Sequence, residues 1–345
     1  MRRVLAKLMM LFLPFGGIVL WVNFYVDPAN LFSDHSYTKG IASIMIKGHN
    51  VDNVSNYDER LLQKEIITGI QETPDIVVIG SSRVMEVDTG LFPGQKLRNL
   101  SVSHGNIHDL IAIIGILDSM NRLPKGMILE IDPAMLVPNE SQEWKVLTTF
   151  HHYTMKNLLK REFDYGPESI FLDRRMVALF SIQYFQDAVR FWSRGRAKQY
   201  EDVGLSAPLS GGRFSNGVIA YPEYYRMPDT LKVNEDAARE GRKTRMAPPT
   251  SGMLELYRDL LQLLKGKSVQ VKLVMVPYHP AYYAGINRNS DNALVRAEDL
   301  FREMAEGNHI EILGSLNPDK VHVTGHDFYD RWHCNKIAIG RLFGQ

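Results

Sequence analysis

The run DIVVIG at residues 75–80 decides how the rest of the chain is read. It is short and β-branched, lacks the polar alternation of a half-exposed strand, and stops at Gly80, so it reads as a strand buried on both faces. Further strands are expected at 96–102 (KLRNLSV), 126–131 (GMILEI), 269–276 (VQVKLVMV) and 309–313 (HIEIL). Helical spacing of apolar residues predicts helices over 57–71, ending before Pro74, and over 106–121, 251–265, 291–306 and 333–343. Strands alternating with helices of this length predict an α/β fold with a parallel sheet covered on both faces. Open sheets of that kind bind ligands beyond the carboxyl ends of their strands. The residues placed there are Gly80-Ser81-Ser82-Arg83, Ser103-His104-Gly105-Asn106, Asp132-Pro133 and Pro277-Tyr278-His279-Pro280. Between about 135 and 250 the composition turns aromatic and basic; strands of the same sheet flank this stretch, so it reads as a long insertion rather than a separate domain.

The 345 residues are 45% hydrophobic, enough for one large domain with a substantial core. A formal net charge of +1 offers no electrostatic reason for a nucleic-acid partner. Cys334 is the only cysteine, which excludes an intramolecular disulfide. From Leu8 to Val26 the only strongly polar side chain is Asn23, about the length that crosses a bilayer core. Arg2, Arg3 and Lys7 precede it, so the expected arrangement is a cytoplasmic tail (1–7), a signal-anchor crossing the lipid bilayer (8–26), an irregular juxtamembrane segment (27–56) and an extracytoplasmic domain (57–345). The bulky aromatics that end the segment argue for an anchor over a cleaved signal.

Ser81 and Ser82 follow the first strand, where a hydroxyl can sit near unpaired backbone N–H groups and either act as a nucleophile or simply cap the turn. A serine nucleophile needs an imidazole base and a carboxylate behind it. Asp330 and His333, three apart near the C-terminus, have a spacing that can place the carboxylate beside the ring, with His333 opening the last helix. Tyr278 and His279 are candidate pocket residues. His104, His108, Asp109, His151 and His152 form no recognisable metal-ligand pattern, and neither a metal nor a cofactor is expected. The aromatic and arginine residues of 213–226 are read as packing on the sheet rather than stacking on sugar rings.

The blocks VVIGSSRVMEVD, NLSVSHGN, ILEIDPAML and GHDFYDRWHCNKIA resemble those of SGNH (GDSL-like) hydrolases, in the membrane-anchored branch of DltD-like and alginate-acetylation proteins. The resemblance spans about 75–132 and 269–345. It implies a flavodoxin-like three-layer sandwich with Ser82 as nucleophile, His333 as base and Asp330 as its partner. It also implies an oxyanion hole using the N–H groups of Ser82 and Gly105, with Asn106 as a side-chain donor. The family's G-x-N-D block is absent: Glu130-Ile131-Asp132-Pro133 stands there, and an ionised carboxylate donates no hydrogen bond. The expectation is an acyltransferase or esterase acting on a cell-envelope glycan, through O-acetyl transfer, beside a membrane-bound O-acyltransferase. Its place would be the cytoplasmic membrane, facing the periplasm or cell surface. The competing expectation is a non-catalytic scaffold or glycan-binding protein.

Overall fold

The structure, a computed structural model, describes residues 2–27, 32, 36–54, 57–137, 143–165, 174–193 and 200–344, with side chains of the first helix described from Pro14 onward. Helices α1 (Arg2–Val26) and α2 (Ser36–Ile46) lead into strand β1 (Asn50–Asp52) and helix α3 (Glu59–Gly69). Next come β2 (Ile76–Ile79), β3 (Leu97–Asn99), α4 (Ile107–Ser119) and β4 (Gly126–Glu130). The insertion holds α5 (Thr148–Tyr153), α6 (Arg174–Phe180), α7 (Ile182–Ser193), β5 (Glu201–Gly204), β6 (Gly212–Arg213), β7 (Ile219–Ala220), α8 (Glu223–Arg226) and α9 (Thr230–Gly241). The chain closes with α10 (Ser251–Gly266), β8 (Gln270–Met275), α11 (Pro280–Asn289), α12 (Ala293–Asn308), β9 (Glu311–Gly314) and α13 (Lys336–Leu342).

Among the described residues, five strands form one all-parallel sheet in the order β3-β2-β4-β8-β9. In chain order this is 2-1-3-4-5, the doubly wound arrangement of flavodoxin-like folds, whose switch point lies between the first and third strands. Successive side chains of β2, β4 and β8 point to opposite faces. Val77, Ile79, Met127, Leu129, Leu273 and Met275 enter one core with α4, α10 and α12, while Val78, Ile128 and Val274 enter a second core closed by α13. Each of these fully buried aliphatic side chains contributes about 1.5–3 kcal/mol. Both faces are therefore dry, and the first strand's uninterrupted apolar run follows from that.

Residues 27–56 depart from the irregular segment expected. Apolar residues at helical spacing in α2 and the buried Val51 of β1 pack on α3 in a core of Ile41, Met45, Leu62 and Ile66. Strand β1 also pairs antiparallel with β5 and β6 of the insertion, so leader and insertion share one small sheet, β5-β1-β6-β7. That sheet covers the exposed edge of β3: Asn99 N–H donates to the Asn216 carbonyl (2.8 Å) and Arg98 to the Ser215 carbonyl (2.9 Å). Among the described residues no helix is long and apolar enough to cross a membrane. The expected span 8–26 begins before Pro14, and its first side chains, like those of 1–7, lie outside the described residues, as do 28–31, 33–35, 55–56, 138–142, 166–173 and 194–199.

The final helix also begins later than the spacing suggests. Asn335 takes the N-cap, its Oδ1 accepting from Ala338 N–H (2.9 Å), so His333 lies just before α13 in a turn closed by a bridge between Phe328 and Cys334. The loop after β3 approaches β2 at a glycine: a Cβ on Gly105 would lie 2.5 Å from the Gly80 carbonyl oxygen. Replacement by any larger residue must push that loop off the strand tip. Gly105→Ala is expected to lower stability by about 1–3 kcal/mol in urea denaturation. Gly252→Ala, where a Cβ meets nothing within 4 Å, should be neutral or slightly stabilising.

Candidate active site

The rim at the switch point is assembled from loops that leave three neighbouring strands. After β2 the chain turns sharply at Gly80, where a Cβ would collide with Glu130 and Val84, and enters a single 3-10 turn at Ser82–Val84. Glu130, fully buried at the end of β4, accepts from both the N–H and the hydroxyl (3.0 Å) of Ser81. Burial pushes its carboxyl above the ordinary range, against the pull of the Arg83 guanidinium. The buried Arg83 pairs with Asp132 and donates to the carbonyls of Val276 (2.5 Å) and Pro277 (3.0 Å), stapling the ends of β2, β4 and β8 together. Tyr278 stacks under that guanidinium, 4.2 Å from ring centre to the central carbon, and its hydroxyl donates to Asp132 (2.9 Å).

Ser82 stands at the exposed side of this staple. Its Oγ lies 2.8 Å from Nε2 of His333, although the two are 251 positions apart. His333 Nδ1 is 2.9 Å from Asp330 Oδ2 and 3.1 Å from Oδ1. Asp330 Oδ1 also accepts the backbone N–H of Trp332 (2.6 Å) and of His333 (2.8 Å), which fixes the carboxylate against its own loop. Burial raises the Asp330 carboxyl, but hydrogen bonds and charge from His333, with further bonds from Tyr225 and Trp332, hold it well below the usual carboxylate range. It is therefore ionised and accepts only, a geometry that suits a neutral ring with its proton on Nδ1 facing Asp330 and Nε2 facing the Ser82 hydroxyl. The side chains of His333 and Asp330 retain 19% and 34% of their exposure, so solvent and a ligand can reach the dyad. Trp332, between them in sequence, turns the other way and packs on Tyr282 and Tyr278.

Asn106 caps α4. Its Oδ1 accepts from His108 N–H (2.9 Å) and Asp109 N–H (3.3 Å), which fixes the orientation of the amide. Its Nδ2 is buried and has no acceptor among the described residues. With the Gly105 loop pressed against Gly80, this free donor belongs to the loop that abuts the strand tip carrying Ser82. The Ser82 N–H, first in its turn, likewise has no acceptor among the described residues.

Several expected site residues have structural duties instead. The Gly105 N–H donates to the Val102 carbonyl (3.1 Å), so this glycine serves by close packing and not as an oxyanion donor. Ser81 caps the turn, its Oγ accepting from Arg83 N–H (3.3 Å). Arg83, Asp132 and Tyr278 are buried in the staple; Asp132 in addition caps the turn at Pro133–Leu136. His279 caps α11 through Nδ1 (3.2 Å from Ala281 N), donates from Nε2 to Asn234 (2.8 Å) and is buried, which brings its pKa down to about 4. None of these side chains offers a free polar edge to a substrate. Among the described residues no group of His, Cys, Asp and Glu could hold a metal ion. His108 and His151 hydrogen-bond each other (3.0 Å) inside an aromatic cluster, where burial lowers them to about 4 and about 3 and keeps them neutral. Asp109 pairs with Arg60 (2.7 Å).

The insertion divides its aromatic and basic residues between packing and the site. Arg213 is buried, bonded to Glu59, to the Tyr57 hydroxyl (2.7 Å) and to the Gly217 carbonyl (3.0 Å). Tyr225, on α8, donates to Asp330 Oδ2 at 2.7 Å and lies 3.1 Å from His333 Nδ1. Sequence reasoning missed it; the aromatic pattern YPEYY marked the region but no spacing ties it to a carboxylate a hundred positions away. Tyr221 and Tyr329 pack around it.

Glu86 lies under these tyrosines and accepts from the Tyr329 hydroxyl (3.2 Å). Burial pushes its pKa up to about 7, against that bond and the charges of Lys336 and Arg226. The folded protein thus holds a proton that the unfolded chain releases near 4.5, so the contribution to stability is complete below that pH and is lost as pH rises through about 7. Glu86→Gln, which keeps an acceptor for Tyr329, should be more stable than the parent by about 2 kcal/mol at pH 8, the gap closing at pH 4, as read by urea denaturation. A gap independent of pH would contradict this. Compared with known protein families and with curated proteins, the chain matches none.

Proposed function

We propose that the chain is a membrane-anchored, SGNH-like serine acyltransferase or esterase acting on a cell-envelope glycan, with O-acetyl transfer as its reaction. The observation that carries the reading is the chain of contacts from Ser82 Oγ through His333 to Asp330, on a rim open to solvent at the switch point of a parallel sheet. In this reading His333 Nε2 takes the Ser82 proton as Oγ attacks an ester or thioester carbonyl, and Asp330 supports the imidazolium. The carbonyl oxygen, now negative, is received by the Ser82 N–H and by Nδ2 of Asn106. His333 then returns its proton to the leaving group, whose bond to the acyl carbon breaks, leaving an acyl ester on Ser82. A sugar hydroxyl or water, deprotonated by His333 in turn, attacks that ester and restores the serine.

The membrane anchor at 8–26, the extracytoplasmic placement and a membrane-bound O-acyltransferase as the supplier of acyl groups belong to the same proposal, supported by the apolar N-terminal segment and its preceding basic residues. Glu130 and Asp132, which stand where the family carries its asparagine block, hold the rim together, and Asn106 takes the donor role from another loop. An activated-serine probe of the fluorophosphonate type should label the full-length protein and Ser81→Ala but not Ser82→Ala. No labelling under conditions that modify a control serine esterase would favour the non-catalytic scaffold. Asn106→Asp removes the donor and keeps a cap oxygen, so it should slow labelling about a hundredfold or more; its buried charge beside Asp109 also lowers stability, so the rate is compared on protein that urea denaturation shows to be folded.

A further inference from the structure

The helical pair α6–α7 leaves much of its large apolar surface turned away from the protein. Both helices pack on α1. Among the described side chains of the three helices, those buried are Val19, Val22, Asn23, Ala178 and Ala188, which are small, β-branched or polar. Many large apolar side chains face outward, Ile18 and Trp21 on α1, Phe180 and Ile182 at the α6–α7 junction, and Val189 and Trp192 on α7, while Leu179, Phe185 and Phe191 are half-buried. Phe180 and Ile182 are 63% and 62% exposed. Helices in lipid pack through small residues and turn their bulky ones out; helices on a soluble core do the reverse.

Asn23 explains how the junction is held. Its Nδ2 lies within 3.0 Å of the Ala178, Leu179 and Ser181 carbonyls, at the turn where α6 ends and α7 begins. The amide nitrogen of this polar side chain in an apolar helix is thus paired with backbone groups of a neighbour, as a hydrocarbon surrounding favours, while its Oδ1 is buried with no donor among the described residues. Trp21 stacks on Tyr25 (5.1 Å) and lies 6.3 Å from Trp192, so the aromatic residues suited to a membrane interface share one level.

We infer that α6 and α7 form an interfacial pair, embedded at the outer surface of the bilayer that α1 crosses, with Phe180, Ile182, Val189 and Trp192 in contact with lipid. This rests on the anchor reading of α1. It turns one part of the insertion into a second membrane contact and fixes how the domain that carries Ser82 is tethered to the bilayer.

The test uses the full chain in vesicles of phosphatidylethanolamine and phosphatidylglycerol, with a fluorophore on Phe180→Cys, Ile18→Cys or Leu231→Cys. Cys334 is buried, and burial raises its thiol pKa, so it does not compete for label. The expected result is quenching of the Phe180→Cys and Ile18→Cys probes by brominated lipid, with iodide access to Phe180→Cys several-fold lower than to Leu231→Cys. Iodide access at Phe180→Cys equal to that at Leu231→Cys, with Ile18→Cys still quenched by lipid, overturns the interfacial pair and leaves the anchor standing. Protection from both quenchers at Phe180→Cys means a second copy covers this face, which also overturns it. Absence of lipid quenching at Ile18→Cys overturns the anchor and the pair together.

Discussion

One buried guanidinium organises the ligand edge of this sheet. Arg83 leaves the turn after β2, pairs with Asp132 after β4, and takes the carbonyls of Val276 and Pro277 after β8. A buried ion pair is weak as a source of net stability, because desolvation offsets most of the attraction. Its value here is geometric. Loss of one partner leaves the other charged and dry, at about 3–5 kcal/mol, so the three loops hold a single arrangement or the edge fails as a unit. Ser82 is adjacent to that staple in sequence, and its position follows from it.

The catalytic reading depends on convergence of distant segments on this fixed edge. The staple holds Ser82; the turn from Phe328 to Cys334, closed by backbone bonds and anchored by the buried Cys334 side chain, brings Asp330 and His333 to it. The insertion supplies the fourth contact through Tyr225, which occupies the outer oxygen of Asp330 and leaves the carboxylate no freedom to rotate away from the ring. Leader and insertion are tied together by the small antiparallel sheet, so the lengths of chain that look peripheral in sequence hold the carboxylate in place. Fold, staple and dyad are one mechanical system.

Much of this is legible in the amino-acid sequence. DIVVIG announced a strand buried on both faces because a two-sided core tolerates no polar alternation, and Asp330 with His333 announced a contact because three residues span one turn. The limits were equally physical. The rule that ligands sit at strand ends identifies loops but not the direction of their side chains, so Tyr278, His279, Arg83 and Asp132 looked like pocket residues while their polar atoms face inward. Tyr225 was hidden because its partner is tertiary. The start of α13 was misplaced because Asn335 is the better cap, and β1 was missed because three residues gain strand identity only from partners about 150 positions away.

The account turns on which nitrogen of His333 carries the proton. Nitrogen-15 NMR of the imidazole at neutral pH, compared between the parent and Ser82→Ala, reads this directly. The account predicts a protonated Nδ1 held by Asp330 and an unprotonated Nε2 whose resonance shifts when the serine hydroxyl is removed. A ring protonated at Nε2, with Nδ1 accepting from Tyr225, would leave Ser82 without a base and contradict it.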